Sequence, residues 1–165
     1  MQTFNIDIHG INESFIHLTE DINQFNNFYD QVNSSGHKQL FYTVIDGKEC
    51  VTREELFEEF SSKLLFPDYF SNNWDSFDEI MNDLEWLDSN QFVLFFKNFD
   101  LLLSQDSKNR DMFFEIISET MKEWVAGNDY ELEREPMPFC LIIHSNRDIV
   151  KELNMKFEDA EIKIF

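Results

Sequence analysis

The hydrophobic positions of the chain change their spacing several times between residues 38 and 146. Three short, continuous apolar runs, rich in aromatic and β-branched residues, are typical of strands that are buried on both faces. These runs are Leu40–Ile45, Phe92–Phe96 and Pro138–Ile143. The segments between them repeat apolar residues at helical spacing, so strands and helices are predicted to alternate. We therefore expect an α/β fold of two or three layers, with a mostly parallel, three-stranded central sheet flanked by helices.

Two of the intervening helices have recognisable boundaries. Thr52 and Glu55 have the spacing of a capping box at a helix start, and Pro67 is expected to stop that helix. Its inner face would consist of Leu56, Phe57, Phe60 and Leu64. A later helix is predicted over residues 108–126, with Gly127 as its C-terminal stop. Its inner stripe would consist of Phe113, Ile116, Ile117, Met121 and Trp124.

The two flanks of the chain give weaker signals. In residues 1–37 we predict strands at Phe4–His9 and Ser14–Leu18 and a short helix after Thr19. In residues 147–165 we predict a helix at Asp148–Leu153 and a strand at Glu161–Phe165. Neither flank is long enough for a core of its own, so we expect a single domain over residues 1–165. In it the N-terminal extension 1–37 and the C-terminal extension 147–165 would pack on a unit that covers residues 38–146.

The composition indicates a folded and strongly acidic protein. A hydrophobic content of 42% with 19 Phe residues argues against disorder, and the net charge of −20 argues against direct binding to nucleic acid. This charge favours a basic protein partner. The N-terminal residues do not resemble a signal peptide and no apolar run reaches the length of a membrane span, so we expect a cytoplasmic protein without a membrane partner. Cys50 and Cys140 are then expected to be reduced core residues.

A second helix is predicted to begin at Asn72 or Asn73, directly after an aromatic turn. Its inner side would consist of Trp74, Phe77, Met81 and Leu84. Its outer face would carry Asp75, Glu79 and Asn82, with Asp78 and Asp83 at the borders. From Leu64 to Phe96 the chain has seven acidic residues and no Lys, Arg or His. This face is therefore predicted to carry a charge of one sign.

Two interpretations of this face remain open from the residues alone. It could be a solvated surface in a protein that is acidic throughout. Alternatively, carboxylates held on a rigid helix could imitate a row of phosphates and bind a protein that presents Arg, Lys and His to phosphate. Tyr69 would then be an exposed aromatic anchor, whereas Phe70 and Trp74 are expected to belong to the core.

The same segment resembles the inhibitory loop and helix of the barstar family. The members of this family are small intracellular inhibitors of ribonucleases. The similarity rests on Phe66–Phe70 followed by Asn72–Asp75 and Phe77. Val44–Gly47 resembles the family's opening strand and turn, and Thr52–Leu65 resembles its first helix. The later strand, helix and strand also follow in the family's order, so the resemblance covers about two thirds of the chain.

The resemblance implies a 1:1 complex in which the loop and the helix plug the active site of a basic ribonuclease or nuclease toxin. It implies contact residues at Tyr69, Asn73, Asp75 and Glu79, to which the charged face adds Asp78, Asn82 and Asp83. The family's best-known member has Asp where this chain has Glu79, so this carboxylate reaches one methylene further. Ser71 replaces a Gly that is common in this loop. A cytoplasmic, bacterial immunity protein against an imported nuclease is a closely related hypothesis.

Three other classes of function have less support in the sequence. An enzyme would need a nucleophile, an oxyanion site or a phosphate-binding loop, and the sequence offers none of these patterns, so we expect no enzymatic activity. A Ca²⁺ site would need alternating Asp and Asn around a central Gly, so we expect no metal and no cofactor. His9, His17, His37 and His144 are scattered and are expected to be surface or capping residues. The remaining alternative is an acidic nucleic-acid mimic, or another interaction protein, that uses the same scaffold against a target other than a ribonuclease.

Overall fold

The computed structural model describes residues 14–127, 137–158 and 160–165, and these residues contain five strands. The strands are β1 (Ile16–Thr19), β2 (Leu40–Asp46), β3 (Gln91–Lys97), β4 (Phe139–His144) and β5 (Ile162–Ile164). They form one sheet in the order β2-β3-β4-β1-β5, and all neighbouring strands are parallel. The strand predicted at Phe4–His9 lies outside the described residues.

The α-helices of the described residues alternate with these strands. They are α1 (Ile22–Ser34), α2 (Arg53–Lys63), α3 (Trp74–Met81), α4 (Ser107–Ala126) and α5 (Val150–Lys156). Single 3₁₀ turns occupy Gly47–Glu49, Glu85–Leu87 and Phe99–Leu101. None of the helices in this part of the chain has the length and apolar character that a membrane crossing requires.

The parallel α/β fold is confirmed, but the prediction of three central strands is wrong. The three predicted strands form β2, β3 and β4, and the flanking segments add β1 and β5 to the same sheet. Ile16 of β1 lies opposite Leu141 on one side and Ile162 on the other. Burial on both faces and pairing at both edges make β1 an inner strand, so the flanks extend the sheet as well as packing on it. The helix after Thr19 is also longer than expected, with 13 residues.

The helices cover the sheet in three layers. Side chains alternate along β3, so Val93 and Phe95 face a cluster with α1, whereas Leu94 and Phe96 face the larger cluster with α2 to α5. Helix α1 contributes Phe25, Phe28 and Val32 to the smaller cluster. The inner stripes predicted for α2 and α4 are all buried, which confirms their orientation. Helix α3, whose outer side carries the predicted acidic face, therefore lies in the outer layer on the larger cluster.

The helix boundaries follow local capping chemistry. The side chain of Thr52 accepts the Glu55 amide at the start of α2, and Gly127 ends α4 at a φ of 75°, as predicted. Helix α2 ends at Lys63 and not at Pro67. The Leu65 φ of 55° turns the chain away before the proline is reached.

The end of α3 differs from the prediction. The helix stops at Met81, and Asn82 is its C-cap. Leu84 then adopts a φ of 49° and inserts into the core, which breaks the helical path. Asp83 therefore lies beyond the helix and not on the border of its outer face, because burying Leu84 requires the turn.

The prediction that the histidines are surface or capping residues is wrong for His17 and His144, which are both buried. Burial and nearby Lys163 lower the pKa of His17 to about 4. The Nδ1 atom of His144 accepts the Asn98 amide at 3.2 Å, and burial is the main cause that lowers its pKa. Both therefore act as neutral parts of the fold at pH 7. Cys50 and Cys140 are both buried in the core, where they were expected.

Candidate functional site

The loop between α2 and α3 is held by aromatic packing. The rings of Phe66 and Phe70 meet edge to face with centroids 5.1 Å apart, and Phe66 also contacts Trp86 at 6.5 Å. The indole N–H of Trp86 donates to the Leu64 carbonyl at 2.9 Å. These contacts fix a loop whose backbone is otherwise irregular, and they bring the turn after α3 against the end of α2.

The start of α3 is fixed by Asn73. Its Oδ1 accepts the Ser76 amide at 2.8 Å, and its Nδ2 donates to the Ser71 carbonyl at 3.3 Å. The Ser76 hydroxyl in turn accepts the Ser71 amide at 3.0 Å. Asn73 is exposed, but in this structure its side chain is used for the cap. Ser71 is not among the residues with positive φ, so the backbone here does not require a glycine.

Trp74 anchors α3 to the start of α4. Its indole N–H donates to Asn109 Oδ1 at 2.8 Å, and its ring packs edge to face on Phe57 with centroids 5.0 Å apart. Phe77, one turn later, is buried among Phe57 and Phe60. As expected, Trp74 and Phe70 belong to the core packing, although both keep partly exposed surface. The inner side of α3 is thus rigidly held.

The outer side of α3 carries three exposed carboxylates, those of Asp75, Asp78 and Glu79. Within residues 14–127, 137–158 and 160–165, none of the three forms an ion pair with a Lys, Arg or His. Asp75 lies in the first turn, where the helix dipole stabilises an anion, but Asp78 and Glu79 gain less from it. The face therefore presents concentrated negative charge that the described residues do not neutralise.

Electrostatic interaction within this face is evident at Asp78. Desolvation is the main cause that raises the pKa of its carboxyl group, and the carboxylates of Asp75, Glu79 and Glu119 raise it further. The Asn82 amide opposes the shift, because its Nδ2 donates to Asp78 Oδ1 at 3.0 Å. A cationic partner would relieve the repulsion that the carboxylates exert on one another.

Tyr69 lies at the edge of the acidic face and is exposed, as predicted. Its hydroxyl donates to Asp83 Oδ2 at 3.3 Å. Desolvation and the carboxylates of Asp83, Glu85 and Glu79 raise the pKa of the Tyr69 phenol. This tyrosine is therefore a neutral hydrogen-bond donor, and its ring remains available for contact.

The structure brings the predicted contact residues together in two groups. Asp75, Asp78 and Glu79 share the outer face of α3, whereas Tyr69 and Asp83 meet beside the end of the helix. Asn73 and Asn82 close the helix at its two ends and make hydrogen bonds there. All seven are therefore within or next to α3.

Glu85 and Glu119 are not among the contact residues predicted from the sequence. Glu119 lies on the exposed face of α4 and raises the pKa of the Asp78 carboxyl group. It therefore adds to the negative charge of the acidic surface, by which we mean the outer face of α3 together with Glu119. Its outward position could have been inferred from the inner stripe of α4, but only the packing of α3 on α4 brings it close to Asp78. Among the described residues, no group of three or more His, Cys, Asp or Glu side chains is arranged to hold a metal ion.

Comparison with known proteins identifies the middle of the chain. The family described as Barstar (barnase inhibitor) matches residues 40–144, which is well over half of the chain. The match begins at β2 and ends with β4, so it includes the whole acidic surface. No curated protein matches the chain.

Solved structures share the fold at low identity. A chain in the structure of Drosophila ORC bound to DNA matches with a TM-score of 0.55 and 11% identity, over 93% of this chain and 26% of that chain. A chain in Drosophila ORC bound to AT-rich DNA and Cdc6 matches with a TM-score of 0.51 and 10% identity, over 93% and 25%. This chain thus spans about a quarter of the length of the chains it matches. At this identity the likeness concerns the fold alone.

Proposed function

The chain belongs to the barstar family, and we propose that it inhibits a basic ribonuclease or nuclease toxin by plugging its active site. The family is one of barnase inhibitors, so a protein partner is the expected class. In the proposed complex the acidic face of α3 occupies the positions of RNA phosphates, and the loop with Tyr69 covers the rim of the catalytic cleft. The protein would act in the cytoplasm as a 1:1 inhibitor with no chemistry of its own.

The observation that carries this proposal is the set of exposed carboxylates on an anchored helix. Asp75, Asp78 and Glu79 repel one another in the free protein, and Glu119 adds to this repulsion. This repulsion is relieved when a cationic surface binds, because each carboxylate can then pair with Arg, Lys or protonated His. Ribonuclease active sites supply such cations to hold phosphates, so the charge and the spacing suit that class of target.

The rigidity of the site supports the same function. The loop is fixed by Phe66, Phe70 and Trp86, and the helix is fixed by Asn73 and Trp74. A surface that is already ordered loses little conformational entropy on binding, which favours tight association. The longer side chain of Glu79 keeps more freedom than an aspartate would, and we propose that it selects a target whose cation lies further from the helix.

The test is recovery of the partner followed by titration of its activity. The protein is used to capture proteins from its native host, and it is co-expressed with any nuclease encoded beside it. We expect a basic ribonuclease in equimolar amount whose cleavage of RNA falls linearly to zero at one equivalent of inhibitor. Recovery of a DNA-binding protein without nuclease activity would instead support the nucleic-acid mimic and overturn the ribonuclease assignment.

A further inference from the structure

Two large apolar side chains are exposed just before α3. Leu65 is 66% exposed and Tyr69 is 63% exposed, whereas Phe66 and Phe70 pack against the core. The φ of Leu65 is 55°, a conformation that glycine or asparagine adopts with less strain. An exposed leucine in this conformation adds little to the stability of the fold, which points to a role in contact with another molecule.

The loop that carries these two residues lies close to the turn that follows α3. The Tyr69 hydroxyl donates to Asp83 at 3.3 Å, and the charge of Glu85 also acts on the phenol. The hydrogen bond of 2.9 Å from the Trp86 indole to the Leu64 carbonyl holds the same turn against the backbone next to Leu65. The Tyr69 phenol, the Asp83 and Glu85 carboxylates and the backbone next to Leu65 thus all lie at the same turn.

The chemistry of this area favours an arginine over other cations. A guanidinium group is planar, stacks on the face of an aromatic ring and pairs with carboxylates through several N–H groups at once. A lysine ammonium is a compact, strongly hydrated charge that does not use a flat ring in this way. From Leu64 to Phe96 the chain has no Lys, Arg or His, so no cation of this segment competes for the area.

We propose that Leu65, Tyr69, Asp83 and Glu85 form a binding patch for one arginine side chain of the partner nuclease. In this arginine-binding patch the guanidinium stacks on the Tyr69 ring and pairs with Asp83 and Glu85, while Leu65 covers the methylene groups. The proposal rests on the proposed function for the identity of the partner. The preference for arginine over lysine follows from the patch itself.

The first experiment uses small probes and no nuclease. The protein is titrated with N-acetyl-arginine amide or N-acetyl-lysine amide while the ring signals of Tyr69, assigned with Tyr69→Phe, are followed by NMR. We expect the arginine probe to shift these signals and to bind at least about threefold more tightly than the lysine probe. Equal responses to the two probes, or no shift of the Tyr69 signals, would overturn the proposal.

Variants distinguish binding by the arginine-binding patch from a general attraction to the negative charge of the protein. The double variant Asp83→Asn with Glu85→Gln should abolish the preference for arginine, whereas Glu20→Gln, which removes an exposed acid before α1, should leave it unchanged. Leu65→Gly relieves the positive φ, so its melting temperature should be equal or higher while binding of the arginine probe weakens. An unchanged preference in the double variant would overturn the proposal. If the preference is observed but no nuclease is inhibited, the proposed function fails and the arginine-binding patch remains.

Discussion

The Tyr69 hydroxyl donates a hydrogen bond to the Asp83 carboxylate at 3.3 Å, although the whole of α3 lies between these two residues in the sequence. This contact joins the loop before the acidic helix to the turn after it. Sequence distance alone does not predict it, because it exists only when α3 ends at Met81 and the chain turns back through Leu84. The aromatic loop is therefore held directly against the turn that ends the acidic helix.

Association with the proposed nuclease partner should depend strongly on salt. The exposed carboxylates of Asp75, Asp78 and Glu79 act over about a Debye length, which shortens as ionic strength rises. We expect the association rate constant to fall about tenfold or more between low and physiological salt, while the dissociation rate constant changes much less. Stopped-flow mixing at several salt concentrations measures both constants. An association rate that is indifferent to salt would argue against electrostatic steering.

Asp78 should make the free protein less stable as the pH rises. Desolvation and neighbouring carboxylates raise its pKa in the folded state above the ordinary value of 3.8. The folded state then binds the proton more tightly than the unfolded state, so stability falls as the pH rises through the window between the two pKa values. The loss of stability caused by the ionised Asp78 is absent below this window and complete above it.

Replacing Asp78 removes this penalty. We expect Asp78→Asn to have a higher melting temperature than the wild type at pH 7, with a difference that shrinks as the pH falls towards 3.8. Thermal unfolding monitored by circular dichroism at low ionic strength measures it. Asp111→Asn is a useful control, because Asp111 pairs with Lys156 at 2.8 Å and its replacement should not stabilise the protein. A stabilisation by Asp78→Asn that is the same at every pH would contradict the explanation.

Two ion pairs that join α4 to α5 should contribute very differently to stability. Arg110 is buried, donates to both oxygens of Glu152 at 3.1 and 2.7 Å, and also donates to the Phe99 and Leu102 carbonyls. Truncating it leaves these acceptors unpaired, so Arg110→Ala should cost about 3–5 kcal/mol of unfolding free energy.

The exposed pair between Lys156 and Asp111 provides the comparison. Its N–O distance of 2.8 Å is close to the 2.7 Å of the buried pair, yet solvent screens it, and Lys156→Ala should cost only about 0–1 kcal/mol. Chemical denaturation of the two variants measures both values. Equal losses would mean that burial does not distinguish the two pairs.

Gly47 should tolerate no side chain. A Cβ atom at this position would lie 2.0 Å from the Asn98 carbonyl oxygen, which is backbone and cannot move aside. Gly36 has a φ of 64°, but a Cβ atom there would meet nothing within 4 Å, so an alanine at Gly36 meets only backbone strain of about 1–2 kcal/mol. We expect Gly47→Ala to lower the melting temperature much more than Gly36→Ala. A similar effect of both variants in thermal unfolding would contradict this packing.

The elements of the fold were largely predictable, and their arrangement was less so. Runs such as Phe92–Phe96 identify buried strands because both of their faces are apolar. The spacing of Thr52 and Glu55, and the position of Asn73, identify helix starts because capping is local chemistry. The joining of β1 to β4 and β5 depends on backbone pairing between distant segments, which leaves no periodic signal in the sequence.

The candidate site shows the same division. The outward position of Asp75 and Glu79 follows from helical spacing. The effect of Glu119 on Asp78 does not follow from helical spacing, because it depends on how α3 packs against α4. The end of α3 at Met81 was missed because the left-handed conformation of Leu84 is set by burial in the core and not by a glycine.

The central claim is that the acidic face of α3 binds and inhibits a ribonuclease. Its most direct test is a titration of RNA cleavage by the captured ribonuclease, using wild type, Asp75→Ala, Glu79→Ala and the control Glu20→Ala. We predict complete inhibition at one equivalent by wild type and Glu20→Ala, and a loss of about 2–4 kcal/mol in binding free energy for each of the other two variants. Equal inhibition by all four proteins would contradict the claim, because the contact would then lie on another face.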